Sequence, residues 1–560
     1  MTRTIVHGCP STMGDDVQLN TTTLIRHAAR THGEREIVYR EPDGSWQRYD
    51  YARCYERVCR GANALRALGV QPGDAVGILD WNNREHFELY WSIPGIAAVM
   101  LQLNLRLAPD QLAYVMNHSK AQFVLVDETL LPAAEAVADK VPTIKGWIVI
   151  GKKPLSALKT TLAPLYRYDD LLAAAPPEIA WPEVDERSAA IACYTTGTTG
   201  APKGVYYSHR SIYLHAMATL CNYGNSLDDC TMLLTPMFHA SCWGTPQAAT
   251  LGANKIVLPG RYTMDDMDMI TEAVIRENVT VMPGAPVLFQ PMLGTLRAKG
   301  LHPDWHKMRM PCGATEPPVA LMRGLFEETG AEIIHAYGAT ETSPLVTVNR
   351  YKPSARAELS EDELWDLKRK QGLPVSGIDV KILDFEDQTV PADGKTSGEL
   401  CIRGPWITAT YYDMPQADVA HRFTDDGYWR SGDMATLDAR GYVKIVDRTK
   451  DVIKSGGEWI SSIDMENAIM AIPQVLEAAV IGVPHPKWQE RPVAIVALRK
   501  GAVLSVDDVR THLSKRFADW QLPDKVVFVD AIARTSVGKA NKKVMRAQYQ
   551  DLYAGATPGA

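Results

Sequence analysis

The strongest chemical signal in the sequence is a segment rich in glycine and threonine, Tyr194-Thr-Thr-Gly-Thr-Thr-Gly-Ala-Pro-Lys-Gly-Val205. It follows the apolar residues 189–193, so we expect a strand that leads into a phosphate-binding loop. The glycines let backbone amides approach an anion, the hydroxyls can donate to it, and the lysine supplies positive charge. Lys203 precedes Gly204 rather than Ser or Thr, which argues against the loop of kinases and GTPases. The residues expected to contact phosphate are Thr195, Thr196, Gly197, Thr198, Thr199, Gly200 and Lys203.

A second segment, His335-Ala-Tyr-Gly-Ala-Thr-Glu-Thr342, follows a predicted strand at 331–334. An aromatic ring such as that of Tyr337 can stack on adenine, and the hydroxyl of Thr340 can donate to a phosphate. Glu341 is a hard oxygen ligand of the kind that Mg²⁺ prefers.

Two charged residues of the last third are suited to a nucleotide. The carboxylate of Asp433, in Trp429-Arg-Ser-Gly-Asp433, can accept hydrogen bonds from both hydroxyls of a ribose. The guanidinium group of Arg448 is always charged and presents several hydrogen-bond donors, which suits a ribose or a phosphate. Isolated charged side chains usually lie on a solvated face. The interpretation of these two as nucleotide contacts therefore depends on the segments that precede them.

Taken in order, these segments resemble the adenylate-forming superfamily of acyl-CoA synthetases, peptide-synthetase adenylation domains and luciferases. The resemblance spans nearly the whole chain and is strongest to medium- and long-chain fatty acyl-CoA synthetases and methylmercaptopropionate-CoA ligases. It implies that a carboxylic acid and ATP give acyl-AMP and pyrophosphate, after which coenzyme A takes the acyl group. Mg²⁺ is the implied cofactor, and ATP and coenzyme A are the implied co-substrates.

The resemblance also implies a role for each matching residue. Catalytic roles fall on Lys203, Thr340, Glu341 and Lys539, the last at the end of Ala533-Arg-Thr-Ser-Val-Gly-Lys539. The metal would be held by Thr195 and Glu341. Besides the loop, the nucleotide would contact Gly313, His335, Ala336, Tyr337, Gly338, Thr340, Asp433, Arg448, Lys450 and Lys454. The acyl pocket would be walled by His239, Ala240, Trp243 and Gly313, and coenzyme A would meet Ser455, Gly456, Gly457, Glu458 and Trp459.

The family pattern is not matched everywhere. Ala339 stands where a larger residue is usual, and Ala533 replaces a proline. Thr315 and Glu316 are bulkier and more polar than the residues often found beside Gly313, which leaves a long straight-chain acid open to question. Two alternatives also stay open: an adenylate-forming enzyme with an amine, carrier-protein thiol or oxygen as acceptor, and a catalytically silent acyl or nucleotide sensor.

The elements that must position these residues alternate between strand and helix over the first two-thirds of the chain, which predicts parallel sheets covered on both faces. The predicted strands there are 75–79, 97–101, 122–126, 232–235, 255–258 and 279–282, and the predicted helices are 84–91, 109–118 and 265–277. Residues 354–370 are highly charged, and we expect them to form a solvent-exposed excursion of the chain that is not a strand. Strands at 379–383, 398–403 and 442–446 predict a small β-rich subdomain.

Beyond residue 450 a mixed pattern predicts a separate small domain. Its expected strands are 478–483, 493–498 and 525–529, and its expected helices are 462–470 and 506–517. The fold class is therefore α/β: a large N-terminal domain (1–448) of doubly wound αβα sheets with a β-rich subdomain, and a small mobile α+β domain (449–560). The resemblance places a hinge near Lys450.

Length and composition limit the number of domains and the classes of function to be considered. A chain of 560 residues is too long for one ordinary core, and a net charge of −7 argues against non-specific nucleic-acid binding. The nine cysteines form no Cys-x-x-Cys pair, so neither a zinc cluster nor a disulfide framework is indicated. We expect a cytoplasmic protein without a membrane span, for which a homodimer would be unsurprising. The sequence does not identify the acid.

Overall fold

The computed structural model describes residues 5–195, 201–455, 458–534 and 540–553. Its internal contacts divide the chain into two compact units, the first comprising Met1–Asp379 and Ile402–Trp429 and the second Val380–Cys401 and Arg430–Ala560. Within the described ranges, no helix has the length and apolar character needed to cross a membrane.

The first unit carries fifteen named strands and fourteen named helices in its described part. The strands are β1 (Glu36–Arg40), β2 (Trp46–Asp50), β3 (Ala75–Leu79), β4 (Val99–Gln102), β5 (Phe123–Asp127), β6 (Gly146–Ile150), β7 (Leu165–Arg167), β8 (Ala189–Tyr194), β9 (Gly204–Ser208), β10 (Cys230–Met232), β11 (Lys255–Leu258), β12 (Arg309–Cys312), β13 (Glu332–Gly338), β14 (Leu345–Val348) and β15 (Leu373–Pro374). The helices are α1 (Thr22–Thr31), α2 (Tyr51–Ala67), α3 (Arg84–Gly95), α4 (Pro109–His118), α5 (Leu131–Ala138), α6 (Tyr168–Ala174), α7 (His209–Tyr223), α8 (Thr245–Leu251), α9 (Met267–Arg276), α10 (Pro286–Lys299), α11 (Val319–Thr329), α12 (Pro353–Glu358), α13 (Glu361–Arg369) and α14 (Gln416–Val419).

A seven-stranded sheet, in the order β7-β6-β5-β3-β4-β8-β9, forms the centre of this unit. All neighbours are parallel except the last pair, β8 and β9, which form an antiparallel hairpin. Every residue of β3, β5 and β6 is buried, as expected for parallel strands that are covered on both faces. The glycine- and threonine-rich loop is the connection of the terminal hairpin.

Two four-stranded paths, β10-β11-β1-β2 and β12-β13-β14-β15, contain the other named strands of this unit. Val281 joins them, because it forms parallel bridges to Thr231 on one side and Arg309 on the other. Helices α9, α10 and α11 contribute buried side chains to the core against these strands. The second chemical segment begins on β13, which lies between β12 and β14 in the second path.

The second unit is built on two smaller sheets. The first, β16-β17-β18-β19, consists of β16 (Asp379–Leu383), β17 (Gly398–Arg403), β18 (Trp429–Leu437) and β19 (Val443–Arg448). The other has the order β21-β20-β23-β22, with β24 paired to β23. Its elements are β20 (Ile453–Ser455), β21 (Glu458–Ile460), α15 (Ser462–Met470), β22 (Val475–His485), β23 (Gln489–Leu498), α16 (Val506–Leu513), β24 (Lys525–Val529) and α17 (Lys542–Tyr549).

The α/β architecture with a smaller second unit confirms the predicted fold class, and several local predictions need correction. Strand β10 ends at Met232 because the backbone turns, with the Leu234 amide bonded to the Met232 carbonyl at 3.0 Å. The strand predicted at 279–282 is reduced to bridges at Val281, since Pro283 offers no amide to extend them. Helix α16 stops at Leu513 rather than 517. The division at 448/449 stays a prediction.

The charged segment at 354–370 is not a solvated excursion but a pair of helices, α12 and α13. Ser360 caps α13 through a reciprocal capping box with Glu363. Acidic side chains begin the helix, whereas Trp365 is buried in the core beneath β12 and β13. The prediction failed because the high charge of the segment hid an amphipathic pattern.

Candidate active site

The ends of the phosphate-binding loop are tied to each other. The Thr195 amide donates to the Lys203 carbonyl at 2.9 Å, and the Lys203 amide donates to Thr195 Oγ1 at 3.1 Å. Tyr194 and Gly204, one residue further out, face each other as the last pair of the hairpin β8–β9. The predicted contacts at Thr196, Gly197, Thr198, Thr199 and Gly200 lie outside the described residues.

Aromatic rings pack around the stem of this loop. A Cβ added at Gly204 would lie 3.0 Å from Cζ of Tyr194, so a side chain there would press on that ring. The Gly204 carbonyl accepts a hydrogen bond from the Tyr412 amide at 2.9 Å, and the Tyr412 ring stacks on Tyr206 at 4.0 Å between centroids. His118 Nδ1 lies 2.9 Å from the Tyr194 hydroxyl. These contacts fix where the loop begins and ends.

The second segment is joined to the first by a hydrogen bond. The hydroxyl of Tyr207, on β9, donates to the Thr340 carbonyl at 2.7 Å. Thr340 opens a short 3-10 helix that directly follows β13. Gly338 is required at the end of β13, because a Cβ there would lie 1.9 Å from the Pro344 carbonyl oxygen. The structure thus brings the loop stem and the predicted phosphate donor together.

Glu341 and Lys203 share one partner, Tyr411. The Tyr411 hydroxyl donates to Glu341 Oε1 at 2.9 Å, and Lys203 Nζ lies 5.1 Å from the centroid of the Tyr411 ring. Burial lowers the pKa of Lys203 and the charge of Arg422 lowers it further, while Glu341 acts in the opposite direction. A cation and a carboxylate, both predicted to handle the triphosphate, therefore lie on two sides of a single buried tyrosine.

The residues before Thr340 lie along β13. His335 is buried, and its Nδ1 donates to the Arg369 carbonyl at 2.7 Å. Burial lowers the pKa of His335 to about 4, so the ring is neutral at physiological pH. Ala336 is buried, whereas Tyr337 is half-buried and Gly338 is exposed. The side chain of His335 is thus committed to the core, and only the later residues of the strand are open to a ligand.

The predicted wall of the acyl pocket is a left-handed turn. The φ angles of Ala240, Ser241, Cys242 and Trp243 are 41°, 48°, 55° and 56°, and Gly244 follows at 70°. Left-handed backbone costs a non-glycine residue about 1–2 kcal/mol, so this turn holds strain. The turn directs the Trp243 ring to Gly313, where an added Cβ would lie 3.2 Å from Cη2 and 3.3 Å from the Ala336 carbonyl oxygen.

His239 immediately precedes this turn. Its amide donates to the Pro236 carbonyl at 3.0 Å, and its carbonyl accepts from the Cys242 amide at 2.9 Å. The ring is half-buried. The structure therefore brings together three predicted pocket residues, Ala240, Trp243 and Gly313, with His239 at the entrance of the turn.

In the second unit, Asp433 and Arg448 are cross-strand partners on β18 and β19. Arg448 Nε lies 2.7 Å from Asp433 Oδ1. Asp433 is buried, while the Arg448 side chain is about half exposed. The two residues predicted to contact ribose are thus paired with each other.

The remaining predicted residues follow on either side of β20. Lys450 is exposed, and burial of part of its side chain lowers its pKa. Lys454 is exposed on β20, with its amide bonded to Glu490 at 2.9 Å. Ser455 is buried and its hydroxyl accepts from Arg491 at 2.9 Å. Glu458 and Trp459 belong to β21, whereas Gly456, Gly457 and Lys539 lie outside the described residues.

Sequence reasoning missed Tyr207, Tyr411 and Trp429. Trp429 Nε1 donates to the Tyr411 hydroxyl at 3.1 Å, so the three aromatic residues link both chemical segments to residues far away in the chain. Nothing in the spacing of Tyr411 signals this role, because its partners Lys203, Glu341 and Trp429 come from three other segments of the chain. The same holds for Tyr207, because the partner of its hydroxyl, Thr340, is also distant in the chain.

Known protein families match most of the chain. The family described as AMP-binding enzyme matches residues 25–412, and the AMP-binding enzyme C-terminal domain matches residues 464–539. The chain is 42% identical to a long-chain-fatty-acid–CoA ligase of Thermus thermophilus over 98% of both chains. It is 38% identical to a 3-methylmercaptopropionyl-CoA ligase of Ruegeria lacuscaerulensis, covering 95% of this chain and 98% of that one.

Solved structures show the same fold. ATP-bound MatB from Rhodopseudomonas palustris matches with a TM-score of 0.80 at 25% identity, over 95% of this chain and 100% of that one. The anthranilate CoA ligase AuaEII in complex with anthranoyl-AMP matches with a TM-score of 0.83 at 22% identity, over 96% and 98%. The chain therefore belongs to the AMP-binding enzyme family, and within it to the acyl-CoA synthetases, which are acid–thiol ligases.

Proposed function

We propose that this enzyme joins a fatty or related carboxylic acid to coenzyme A, with ATP as the activating substrate. One observation carries the proposal: Lys203 and Glu341, which follow two strands of different sheets, meet on Tyr411. A paired cation and carboxylate beside a phosphate-binding loop suit a triphosphate and its metal. The fatty-acid and methylmercaptopropionyl-CoA ligases among the relatives support the choice of acid.

In the first step, a carboxylate oxygen of the acid attacks the α-phosphorus of ATP. The bond from that phosphorus to the oxygen bridging to the β-phosphate breaks, and pyrophosphate leaves. This replaces hydroxide, a poor leaving group, with AMP. We propose that Lys203 and Thr340 bind phosphate oxygens and that Lys539 bridges the acid and the α-phosphate as charge redistributes.

The residues present fit Mg²⁺. Glu341 Oε1 accepts from Tyr411, while Oε2 accepts no hydrogen bond from any residue in the described ranges. Thr195 offers its hydroxyl at the start of the loop. Mg²⁺ at phosphate sites usually has one or two protein carboxylates, so a lone glutamate is sufficient. When bound, the ion would neutralise charge on the phosphates.

We propose that the nucleotide's base and sugar meet the remaining predicted residues. The half-buried ring of Tyr337 is the candidate for adenine, next to the backbone of Ala336 and Gly338. Asp433 would accept from the ribose hydroxyls, and Arg448, already bonded to it, would orient the carboxylate.

In the second step, the sulfur of coenzyme A attacks the acyl carbon, the bond to the AMP oxygen breaks, and AMP leaves. We propose that a domain comprising 449–560 rotates about Lys450 between the steps, so that Lys539 withdraws and the loop Ser455–Trp459 lines the thiol's path. The bond from Arg491 to Ser455 would hold the start of that loop.

A panel of carboxylic acids tests the whole proposal. Pyrophosphate release is measured with ATP and Mg²⁺ for each acid, with and without coenzyme A. We expect acid-dependent release and a coenzyme A thioester with fatty or methylthio-substituted acids. Release without any thioester would overturn the choice of acceptor, and ATP binding without release for every acid would overturn the ligase reaction.

The homodimer and the cytoplasmic location stay predictions. Sedimentation of the purified protein and fractionation of its native cell would test them. We also predict no nucleic-acid partner, since the net charge is −7.

A further inference from the structure

We propose that Tyr411 is a positioning residue that holds the Glu341 carboxylate and the Lys203 ammonium in place for Mg²⁺ and ATP. The inference rests on the proposed roles of Glu341 and Lys203 and adds a residue that neither the motifs nor the chemistry of the family segments pointed to. The inference is based on the contacts that the buried side chain of Tyr411 makes.

The hydroxyl of Tyr411 is fully engaged. It donates to Glu341 Oε1 at 2.9 Å and accepts from Trp429 Nε1 at 3.1 Å. An indole N–H can only donate, so it forces the hydroxyl proton toward the glutamate. Burial raises the pKa of Tyr411 and the Glu341 charge raises it further, which keeps that proton on the oxygen. The carboxylate is therefore held at one oxygen, with the other left for a ligand.

The ring of Tyr411 has a separate contact. Lys203 Nζ lies 5.1 Å from its centroid, within the range of a cation–π interaction. A lysine side chain is long and flexible, so a ring beneath its ammonium limits the positions it explores. The hydroxyl thus contacts Glu341 and the ring contacts Lys203. Substitutions that remove the hydroxyl alone or the whole ring can separate the two contacts.

Burial makes these contacts rigid. Tyr411 is 2% exposed and Trp429 is 2% exposed. The backbone of the glutamate is held as well, since the Thr408 amide donates to the Glu341 carbonyl at 2.8 Å. Thr408 and Tyr411 lie on the same short segment, so one stretch of chain fixes both the main chain and the side chain of Glu341.

The test compares Tyr411→Phe, which keeps the ring, with Tyr411→Leu, which removes it. Tyr51→Phe is the matched control, because Tyr51 is also fully buried and its hydroxyl donates to the Asn254 carbonyl at 2.9 Å, in the packing of α2. ATP affinity is measured by calorimetry for each protein, with Mg²⁺ and with EDTA. The Mg²⁺ concentration that half-saturates pyrophosphate release is measured alongside.

We expect Tyr411→Phe to weaken ATP binding with Mg²⁺ about tenfold, as for loss of a hydrogen bond to a charged group, and to leave binding in EDTA unchanged. Tyr411→Leu should weaken binding in EDTA too, through Lys203. Tyr51→Phe should lower the unfolding midpoint without moving either affinity. If Tyr411→Phe matches Tyr51→Phe in every readout, the positioning role is refuted.

Glu341→Gln separates this inference from the proposal beneath it. If Glu341→Gln loses the Mg²⁺ response and Tyr411→Phe does not, the metal role of Glu341 stands and the role of Tyr411 fails. If the Mg²⁺ response survives in Glu341→Gln, the metal role itself is wrong and the positioning of Glu341 falls with it.

Discussion

Trp243 lies directly against Gly313, whose missing side chain leaves the space that the indole occupies. A Cβ at 313 would be 3.2 Å from Cη2 and 3.5 Å from Cζ3 of that ring. The pair joins a strained turn at 240–244 to the segment after β12, so the position of one ring depends on two distant parts of the chain. We expect this contact to set how much room an acyl chain has.

Substitution on either side of the contact should change the acid preference in opposite directions. Trp243→Ala should raise kcat/KM for longer acids relative to shorter ones, by about tenfold or more for each poorly accommodated methylene. Gly313→Ala should lower the same ratio, since the added methyl pushes the indole into the pocket. The measurement is competition between two acids in one reaction, which cancels differences in folding. Equal ratios in both variants would place the acyl chain elsewhere.

Lys203 should give the reaction an alkaline limit. Burial lowers its pKa below the ordinary value of 10.5, and only the protonated amine attracts phosphate, so kcat/KM for ATP should fall as pH rises through that lowered pKa. Lys203→Arg should move the fall to higher pH, because a guanidinium keeps its charge. A profile from about pH 7.5 to about pH 10 measures both. An unshifted profile in Lys203→Arg would assign the limit to another group.

Gly244 should be essential for folding of the pocket wall. It has a φ of 70°, and an added Cβ would lie 2.4 Å from the ring of His215. Gly244→Ala should therefore cost about 2–4 kcal/mol of unfolding free energy. Gly294→Ala, in α10 with nothing within 4 Å of the new methyl, should instead stabilise by up to about 1 kcal/mol. Urea denaturation compares the two, and a neutral Gly244→Ala would show that the turn can relax.

Acid should destabilise the protein partly through His215. Burial lowers its pKa to about 3 from the ordinary 6.5, and its Nε2 accepts from the Leu345 amide at 3.1 Å. The unfolded chain then binds the proton more readily, so stability is complete above about pH 6.5 and falls as pH falls below it. The loss from this group is about 2 kcal/mol by about pH 5. The variant His215→Gln keeps a hydrogen-bond acceptor but cannot bind the proton. Its free energy of unfolding, measured by urea titration, should therefore fall less between neutral and acidic pH than that of the unmodified protein.

Lys539 should matter for only one of the two half-reactions. Lys539→Ala is expected to abolish formation of acyl-AMP, because the bridging cation is lost, and to leave transfer from supplied acyl-AMP to coenzyme A largely intact. Each half-reaction is followed separately, by pyrophosphate release and by thioester formation. Equal losses in both would contradict the proposed withdrawal of this residue.

Local chemistry made part of the site predictable from sequence. The run of glycines and threonines was predicted to follow a strand, and β8 is that strand. Thr340 and Glu341 were predicted as site residues because they follow a predicted strand, which overlaps the start of β13. In each case, the strand and the side chains predicted to do the chemistry are neighbours in the chain.

Other features depend on contacts between distant residues, which no local pattern encodes. Tyr411 joins Lys203 and Glu341 only after the first unit has folded. The left-handed turn at 240–244 contains four residues that ordinarily avoid such a backbone, so propensity argued against it. The helices at 353–369 were hidden because charge on one face outweighed the buried face with Trp365.

The reciprocal hydrogen bonds between Thr195 and Lys203 have a consequence for divergence of this enzyme. They tie the two ends of the glycine- and threonine-rich segment to each other, so the backbone positions of Thr195 and Lys203 are fixed together. One of the two bonds needs the hydroxyl of residue 195, because that oxygen accepts the Lys203 amide. Relatives and engineered variants should therefore keep a hydroxyl-bearing residue at position 195.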